Sequence, residues 1–262
     1  MKSPVLILGA ILASALAGAP AAAVTREEAT IENSLVVLHE LQSMPDTQIP
    51  DQLLARAEGI VILPANVKVG LIFGARFGTG VLLVRNEKRD WSNPVFVTTG
   101  GGSWGFQAGG QVADIVLVLT TRRSIDGITD GKLTLGADAS VAAGPVGRTA
   151  MASTSLTFDS EVYAYSRSKG LFAGISLEGN GIFIGKKANR HFYDGEDSAS
   201  AIIAQTKAAP PPADELVAEV RRITSVSQRA VTEPAKPATE VPPAEARTYP
   251  LPDPQPGTEP PN

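Results

Sequence analysis

GGGSWGFQAGGQ, residues 100–111, carries two enzyme signatures at once. Gly100-Gly101-Gly102-Ser103-Trp104-Gly105 satisfies G-x-G-x-x-G, and Gly101 to Gly105 satisfies G-x-S-x-G. A dinucleotide cradle requires the glycines to follow a strand and open a helix, with an acidic residue about twenty positions on. A nucleophile elbow likewise requires a helix directly after its serine. PVFVTTG (94–100) reads as a strand, but FQAGGQVADIVLVLTT (106–121) brings two more glycines and then a β-branched run. No helix opens there. The stretch reads as glycine needed by a tight β structure.

The surroundings agree. GIVILP (59–64), VGLIFGARF (69–77), GVLLVRN (80–86), PVFVTTG and ADIVLVLTT (113–121) are short apolar runs punctuated by Gly, Asn, Asp and Pro. KLTLGADASVAAG (132–144), STSLTFDSEVYAYS (153–166) and GISLEGNGIFIGK (174–186) continue the pattern. Strands of this length and spacing predict a largely antiparallel sheet. Gly70, Gly74, Gly78 and Gly80 share parity, so in an extended chain they fall on one face and allow another backbone to approach closely.

Helices flank this region. Thr25 and Glu28 have the spacing of a capping box, and Ile31, Leu35, Leu38 and Leu41 recur at helical spacing. Pro50 suits the first turn of a second short helix that Gly59 ends. DSASAIIAQTK (197–207) and ADELVAEVRRIT (213–224) read as closing helices, with Asp197 and Asp214 near their starts. The fold class predicted is α+β, a glycine-rich, mostly antiparallel β core between N- and C-terminal helices. Its divisions are a helical segment 25–58, a β core 59–195 and closing helices 196–227.

Two segments lie outside that domain. MKSPVLILGAILASALAGAPAAA (1–23) has the charged start, short apolar run and small-residue site of a secretory signal, cut after Ala23. The expected location is therefore outside the cytoplasm, in a bacterial periplasm. Residues 228–262 are proline-rich and almost without large apolar side chains, which predicts a disordered tail.

Composition narrows the chemistry. A net charge of −4 and no interleaving of arginine with aromatics argue against nucleic acid. The chain has no cysteine, so export brings no disulfide. Two histidines 152 positions apart and scattered carboxylates offer no metal set and no calcium loop. Ser103 followed downstream by carboxylates and His191 has the chain order of a hydrolase triad, but the elbow helix and an oxyanion loop are lacking. Ser166-Arg167-Ser168-Lys169 fits S-x-x-K without its companion motifs. No catalytic residue, metal or cofactor is assigned.

Taken together, AEGIVILPANVKVG (57–70), the glycine run from Gly70, WSNPVF (91–96), GGGSWGFQAGGQ and LGADASVAAGPVG (135–147) form a distinctive series. YAYSRSKGLFAGISLEG (163–179) and NRHFYDG (189–195) extend it. In order and spacing it resembles the SYLF lipid-binding domain over about residues 26–227. The resemblance implies a non-enzymatic module that associates with lipid. Eukaryotic members bind phosphoinositides and some fungal members bind actin, a partner not expected in a bacterial envelope. It also implies membrane contact by the first helix. That helix, residues 26–42, carries Glu27, Glu28, Glu32 and Glu40 against Arg26 alone, whereas a helix lying on anionic lipid carries cations beside its apolar face. Packing of Ile31, Leu35 and Leu38 on the β core is expected instead.

Segment 25–207 holds 17 basic and 19 acidic residues, a balance of −2, so any headgroup contact is local. The candidates are Lys68 and Arg76 beside the glycine run, Arg122 with Arg123, and Lys186 and Lys187 with Arg190. Trp91 and Trp104 are read as core aromatics. The expected partner is phospholipid or a membrane surface. The alternatives are a structural or protein-interaction factor whose Pro-rich tail recruits a partner, and a serine hydrolase built on Ser103 and His191.

Overall fold

The computed structural model describes residues 24–43, 48–70, 73–104, 109–144, 158–168, 171–174, 177–205 and 209–232. The expected signal (1–23) and all of the expected tail beyond Thr232 lie outside the described residues. Helices α1 (Arg26–Ser43) and α2 (Asp51–Arg56) lead into β1 (Gly59–Gly70), β2 (Phe73–Val84), β3 (Val95–Trp104) and β4 (Gly109–Leu119). Helix α3 (Arg122–Thr129) is followed by β5 (Lys132–Thr134), β6 (Val141–Ala143), β7 (Val162–Ser168), β8 (Leu171–Gly174) and β9 (Asn180–Ile184). Helices α4 (Lys186–Phe192), α5 (Ala199–Ala204) and α6 (Ala213–Thr232) close the chain.

All strands join one sheet in the order β5-β9-β3-β2-β1-β4-β7-β6, with β8 also pairing β7. Only β6 with β7 runs parallel among these pairings. The α+β class and the antiparallel core stand as the sequence implied. Two helices were not foreseen, since α3 and α4 lie inside the segment read as β core. Helix α6 runs to Thr232, past residue 227 where the sequence reading closed the domain.

The strand halves nearest the helices are covered on both faces. Ile60, Ile62, Val81, Leu83, Phe96, Val116 and Val118 face one core with α1, α2 and α6. Val61, Leu63, Leu82, Val84, Val95, Ile115 and Leu117 face the other, against Ile125 and Ile128 of α3 and Ile202 of α5. Double coverage explains why GIVIL, VLLV and IVLVL are unbroken apolar runs rather than alternating ones. Helix α1 packs as expected. Ile31 (0% exposed), Leu38 (1%) and Leu41 (2%) are buried on the sheet, with Leu35 partly so. Its start is the expected capping box: the Glu28 amide donates to Thr25 Oγ1 at 3.1 Å and the Thr25 amide to Glu28 Oε2 at 2.7 Å.

The same sheet runs on past its helices. Beyond a bulge in β1, where the register shifts between Ile62 and Val67, strands β3-β2-β1-β4 continue as an extension, here called the wing, which β9 accompanies along β3 only as far as Gly101. The bulge lies against β2 so closely that a Cβ on Gly80 would sit 2.0 Å from the Ile62 carbonyl oxygen. A Cβ on Gly78 would meet the Asn66 side chain at 2.5 Å. At Gly78 and Gly80, two of the four glycines of shared parity, the close approach read from the sequence is present. Gly100 to Trp104 lie in β3 and Gly109 to Gln111 open β4, which answers the ambiguity of GGGSWGFQAGGQ.

Candidate functional site

Register sorts the wing into two unlike faces, because cross-strand partners share a face and neighbours in sequence alternate. One row reads Gly100, Phe77, Val67, Val112 across β3, β2, β1 and β4, and a second reads Gly102, Ala75, Val69, Gly110. These rows continue the face that α1 covers further down. There, beyond the helices, Phe77 is 50% exposed, Val112 58% and Val69 41%. An apolar sheet face open to solvent is unusual enough to mark an interaction surface.

The row between them belongs to the opposite face and reads Gly101, Arg76, Lys68, Gln111. Arg76 and Lys68 are direct cross-strand partners. The next row outward is Ser103, Gly74, Gly70, Gly109, so three glycines follow the two cations toward the strand ends. Arg76 Nε is shut from solvent with no hydrogen-bond partner, and burial pulls this guanidinium's pKa below its ordinary value. Among the described residues, neither Lys68 nor Arg76 has an ion-pair partner.

The other expected cations are elsewhere and mostly engaged. Arg122 opens α3, where its Nε meets Glu58 at 3.1 Å and its Nη2 donates to the Arg85 carbonyl. Arg123 faces Glu161 at 3.8 Å. Arg190 pairs with Asp197. Lys186 and Lys187 are exposed in the first turn of α4. Helix α3 follows the inner end of β4, and α4 follows β9 where Ile184 pairs with Val97, so both lie at the end of the sheet opposite the wing tip. The seven candidates do not form one basic face. They divide into a wing pair and scattered basal residues.

Two of the four acidic residues of α1 that argue against membrane contact, Glu27 and Glu40, act as tethers. Glu27 Oε2 lies 2.9 Å from His191 Nδ1 of α4, and Glu40 pairs with Arg167 of β7. Arg167 also pairs with Asp114 at 2.6 Å, and Asp114 Oδ1 accepts the Ala65 amide of the bulge at 2.9 Å. The first helix is thus anchored at both ends.

Sequence reasoning missed Arg85. Its side chain is buried, 1% exposed, with the guanidinium carbon 4.7 Å from the Trp91 ring. Burial chiefly, and then the neighbouring Arg89, push its pKa down to about 10, while Glu58 opposes them. Trp91 is a core aromatic as expected, its Nε1 donating to Thr224 Oγ1 of α6 at 2.9 Å. The WSNPVF motif therefore joins sheet and closing helix. No local pattern in the sequence distinguishes Arg85 from a strand-end cation.

The catalytic alternatives find no geometry. Ser103 is a strand residue near the outer end of β3, paired with Gly74. The Phe96 amide donates to Asn189 Oδ1 at 2.7 Å, which fixes α4 seven residues down that strand, about 23 Å away at the usual rise. His191 sits on that helix and bonds Glu27. The structure does not bring Ser103 and His191 together. Ser166 is buried in β7, and Lys169 lies outside the described residues. Among the described residues no group of three His, Asp or Glu side chains could hold a metal ion. No described helix is long and apolar enough to cross a membrane.

Comparison with known proteins adds a common thread. The family Ysc84, described as Las17-binding protein actin regulator, matches residues 100–223, beginning at the opening glycines. Protein YSC84 of Saccharomyces cerevisiae is 38% identical over 175 residues, 66% of this chain and 37% of that protein. SH3 domain-containing YSC84-like protein 1 of Xenopus laevis is 39% identical over 154 residues, 58% of this chain and 46% of its own length. The Bos taurus protein of that name is 34% identical over 209 residues, 76% of this chain and 61% of its own. The chain thus spans between 37% and 61% of the length of these relatives.

Proposed function

The chain carries a domain of the Ysc84 family, the SYLF domain, and from that premise we propose a non-enzymatic module that associates with phospholipid. One observation carries the reading: the wing exposes Phe77, Val69 and Val112 on a sheet face that no described helix covers. Apolar surface of this kind is stabilised by transfer out of water, at roughly 25 cal/mol per Å². The separation of Ser103 on the outer part of β3 from His191 on α4 removes the hydrolase arrangement offered by the sequence, which supports a binding rather than a chemical role. The leader-like residues 1–23 support an exported protein working at an envelope membrane.

The test is co-sedimentation of the purified protein with vesicles of phosphatidylethanolamine and phosphatidylglycerol, joined to mass spectrometry of organic extracts of the native protein. Sedimentation with vesicles, or co-purifying phospholipid, is the expected result. No sedimentation and no extracted lipid overturns it. A second reading rests on the family description, which names a protein partner for its members. Under it the wing face docks a protein, and a lipid-free pull-down that depends on Phe77 is the outcome that selects it.

A further inference from the structure

Which way the wing meets a membrane follows from its two faces and from what stands beside it. This inference rests on the lipid-associating function proposed above. The apolar face continues the face on which α1, α2 and α6 pack. A packed helix stands about 10 Å proud of a sheet. A flat bilayer therefore strikes the helices before it can lie along Val67, Phe77 and Val112. It reaches the apolar face only if the wing enters tip first, at a tilt.

Tip-first entry sets a depth. Lys68 is two residues from the strand end at Gly70, and its partner Arg76 is level with it. At about 3.3 Å per residue the pair stands roughly 7 Å behind the ends of the strands. The row of Ala75 and Val69 lies nearer the tip on the other face, and the row of Phe77, Val67 and Val112 lies just behind. Strand ends Gly70 and Gly74 brought to the depth of the headgroups put two cations at the phosphates while Val69 meets the acyl boundary. Gly70 and Gly74 present no side chain beside the cations, while on the β3 side Asn180 and the Gly179 carbonyl stand over Gly101 and close that flank. Lys68 and Arg76 are both half-buried and, among the described residues, have no carboxylate partner, so their charged ends are free to take a charge-assisted hydrogen bond from outside the chain.

We infer that Lys68 and Arg76 form a binding site for the phosphate of a membrane lipid, engaged as the wing enters the bilayer tip first with Val69, Phe77 and Val112 on its acyl side. Only the lipid source uses both faces; free phosphate explains the cations and leaves the apolar rows without purpose. Each cation near an anionic surface contributes on the order of 1 kcal/mol, so losing both weakens binding about tenfold or more.

The experiment compares the whole protein with Lys68→Gln/Arg76→Gln, Phe77→Ser/Val112→Ser and Arg122→Gln/Arg123→Gln. Each is sedimented with neutral phosphatidylcholine vesicles and with vesicles containing one quarter phosphatidylglycerol. Circular dichroism melting confirms that each variant is folded. The expected result is that the Lys68/Arg76 variant loses the gain due to phosphatidylglycerol, about tenfold, and keeps its binding to neutral vesicles. Phe77→Ser/Val112→Ser weakens both, and Arg122→Gln/Arg123→Gln changes the gain by less than threefold, since those arginines face Glu58 and Glu161.

If the wild type sediments but the Lys68/Arg76 variant keeps its full gain, this inference falls and the lipid-associating function stands. If the wild type sediments with neither vesicle, that function falls first. Displacement from phosphatidylglycerol vesicles by millimolar inorganic phosphate at constant ionic strength assigns the pair to a soluble anion and overturns the inference. So does a lipid-free dimer, seen by sedimentation velocity, that Phe77→Ser/Val112→Ser dissolves, because it gives the face to a second copy.

Discussion

The inner and outer halves of β1, β2, β3 and β4 share strands and ladders, yet they solve opposite problems. In the inner half every position is buried: Val81, Leu82 and Leu83 in succession are 0% exposed, since helices cover both faces. In the outer half Gly74, Gly78, Gly101 and Gly102 replace large side chains, and the apolar residues that remain on one face stand open. The inner half is built to be stable. The outer half is an extended, two-faced surface held in place by the ladder and by the bulge, where Asp114 fixes the Ala65 amide. Separating scaffold from contact surface within one sheet lets the surface change without loss of the core.

The largest test of that division substitutes glycines on either side of it. Gly80→Val places a side chain on the Ile62 carbonyl, 2.0 Å from the first added carbon, and backbone must move to admit it. The expected outcome is loss of the folded protein, read as insoluble expression or no cooperative melt. Gly102→Ala meets nothing within 4 Å. Its melting temperature is expected to stay within the range of about 0.5 kcal/mol typical of surface changes. Equal losses from both substitutions would break the comparison.

Truncations sharpen it. Leu82→Ala empties a fully buried site and is expected to cost about 2–5 kcal/mol, seen in the urea midpoint. Phe77→Ser removes a ring already half in water and is expected to cost less than about 1 kcal/mol. A Phe77→Ser cost as large as that of Leu82→Ala would mean that the wing face is part of the core.

The inner half was the more legible in sequence, for a physical reason. Burial on two faces writes itself as unbroken apolar runs, so GIVIL, VLLV and IVLVL announced strands, and α1 announced its cap and its stripe. The short helices α3 and α4 were missed because RRSIDGIT and KKANRHF are brief, polar segments whose shape is fixed by contacts distant in sequence, such as Asn189 with Phe96. Of the site, Lys68 and Arg76 were named from their place beside the glycines. Their pairing needed the register of β1 against β2. The exposure of Phe77 was invisible, because an apolar residue in a strand reads as core until the layer above it is known to stop short.

A buried charge at the base gives a smaller contrast. Arg85 lies over Trp91 with an unpartnered Nε, and Glu58 is shared among Arg89, Arg122 and the field of Arg85. Replacing a buried ion by an apolar chain of similar length is often neutral or stabilising, whereas removing its counter-charge is not. Arg85→Met is therefore expected to hold or raise the melting temperature. Glu58→Gln is expected to cost about 1–2 kcal/mol, discounted because Arg89 and Arg122 are partly solvated. The reverse order would show that Arg85 anchors the Trp91 corner by its charge rather than by its stacked surface.

The smallest effect expected concerns acid. Asp90 is held below the usual carboxylate range chiefly by its hydrogen bond from Arg221, and Glu219 chiefly by its hydrogen bond from Arg222. The first pair ties α6 to the base, with Arg221 Nε 2.8 Å from Asp90; the second lies within α6, where Glu219 also faces His39 of α1 at 3.7 Å. A carboxylate whose pKa is lower folded than unfolded makes the unfolded chain bind more protons in acid, so stability rises with pH there. The contribution is complete above the ordinary carboxylate range, near pH 5, and is lost as pH falls through the depressed folded values. These groups are partly solvated, so the loss is modest for each. Urea midpoints taken from pH 7 to pH 3 are expected to be flat to about pH 5 and then to fall. Asp90→Asn should start lower at pH 7 and fall less steeply. Vesicle binding in the wing, where among the described residues no such carboxylate pair stands beside Lys68 and Arg76, is expected to hold down to the pH at which the base begins to melt. Binding lost well before the base loosens would place a titrating group in the wing and couple the two halves.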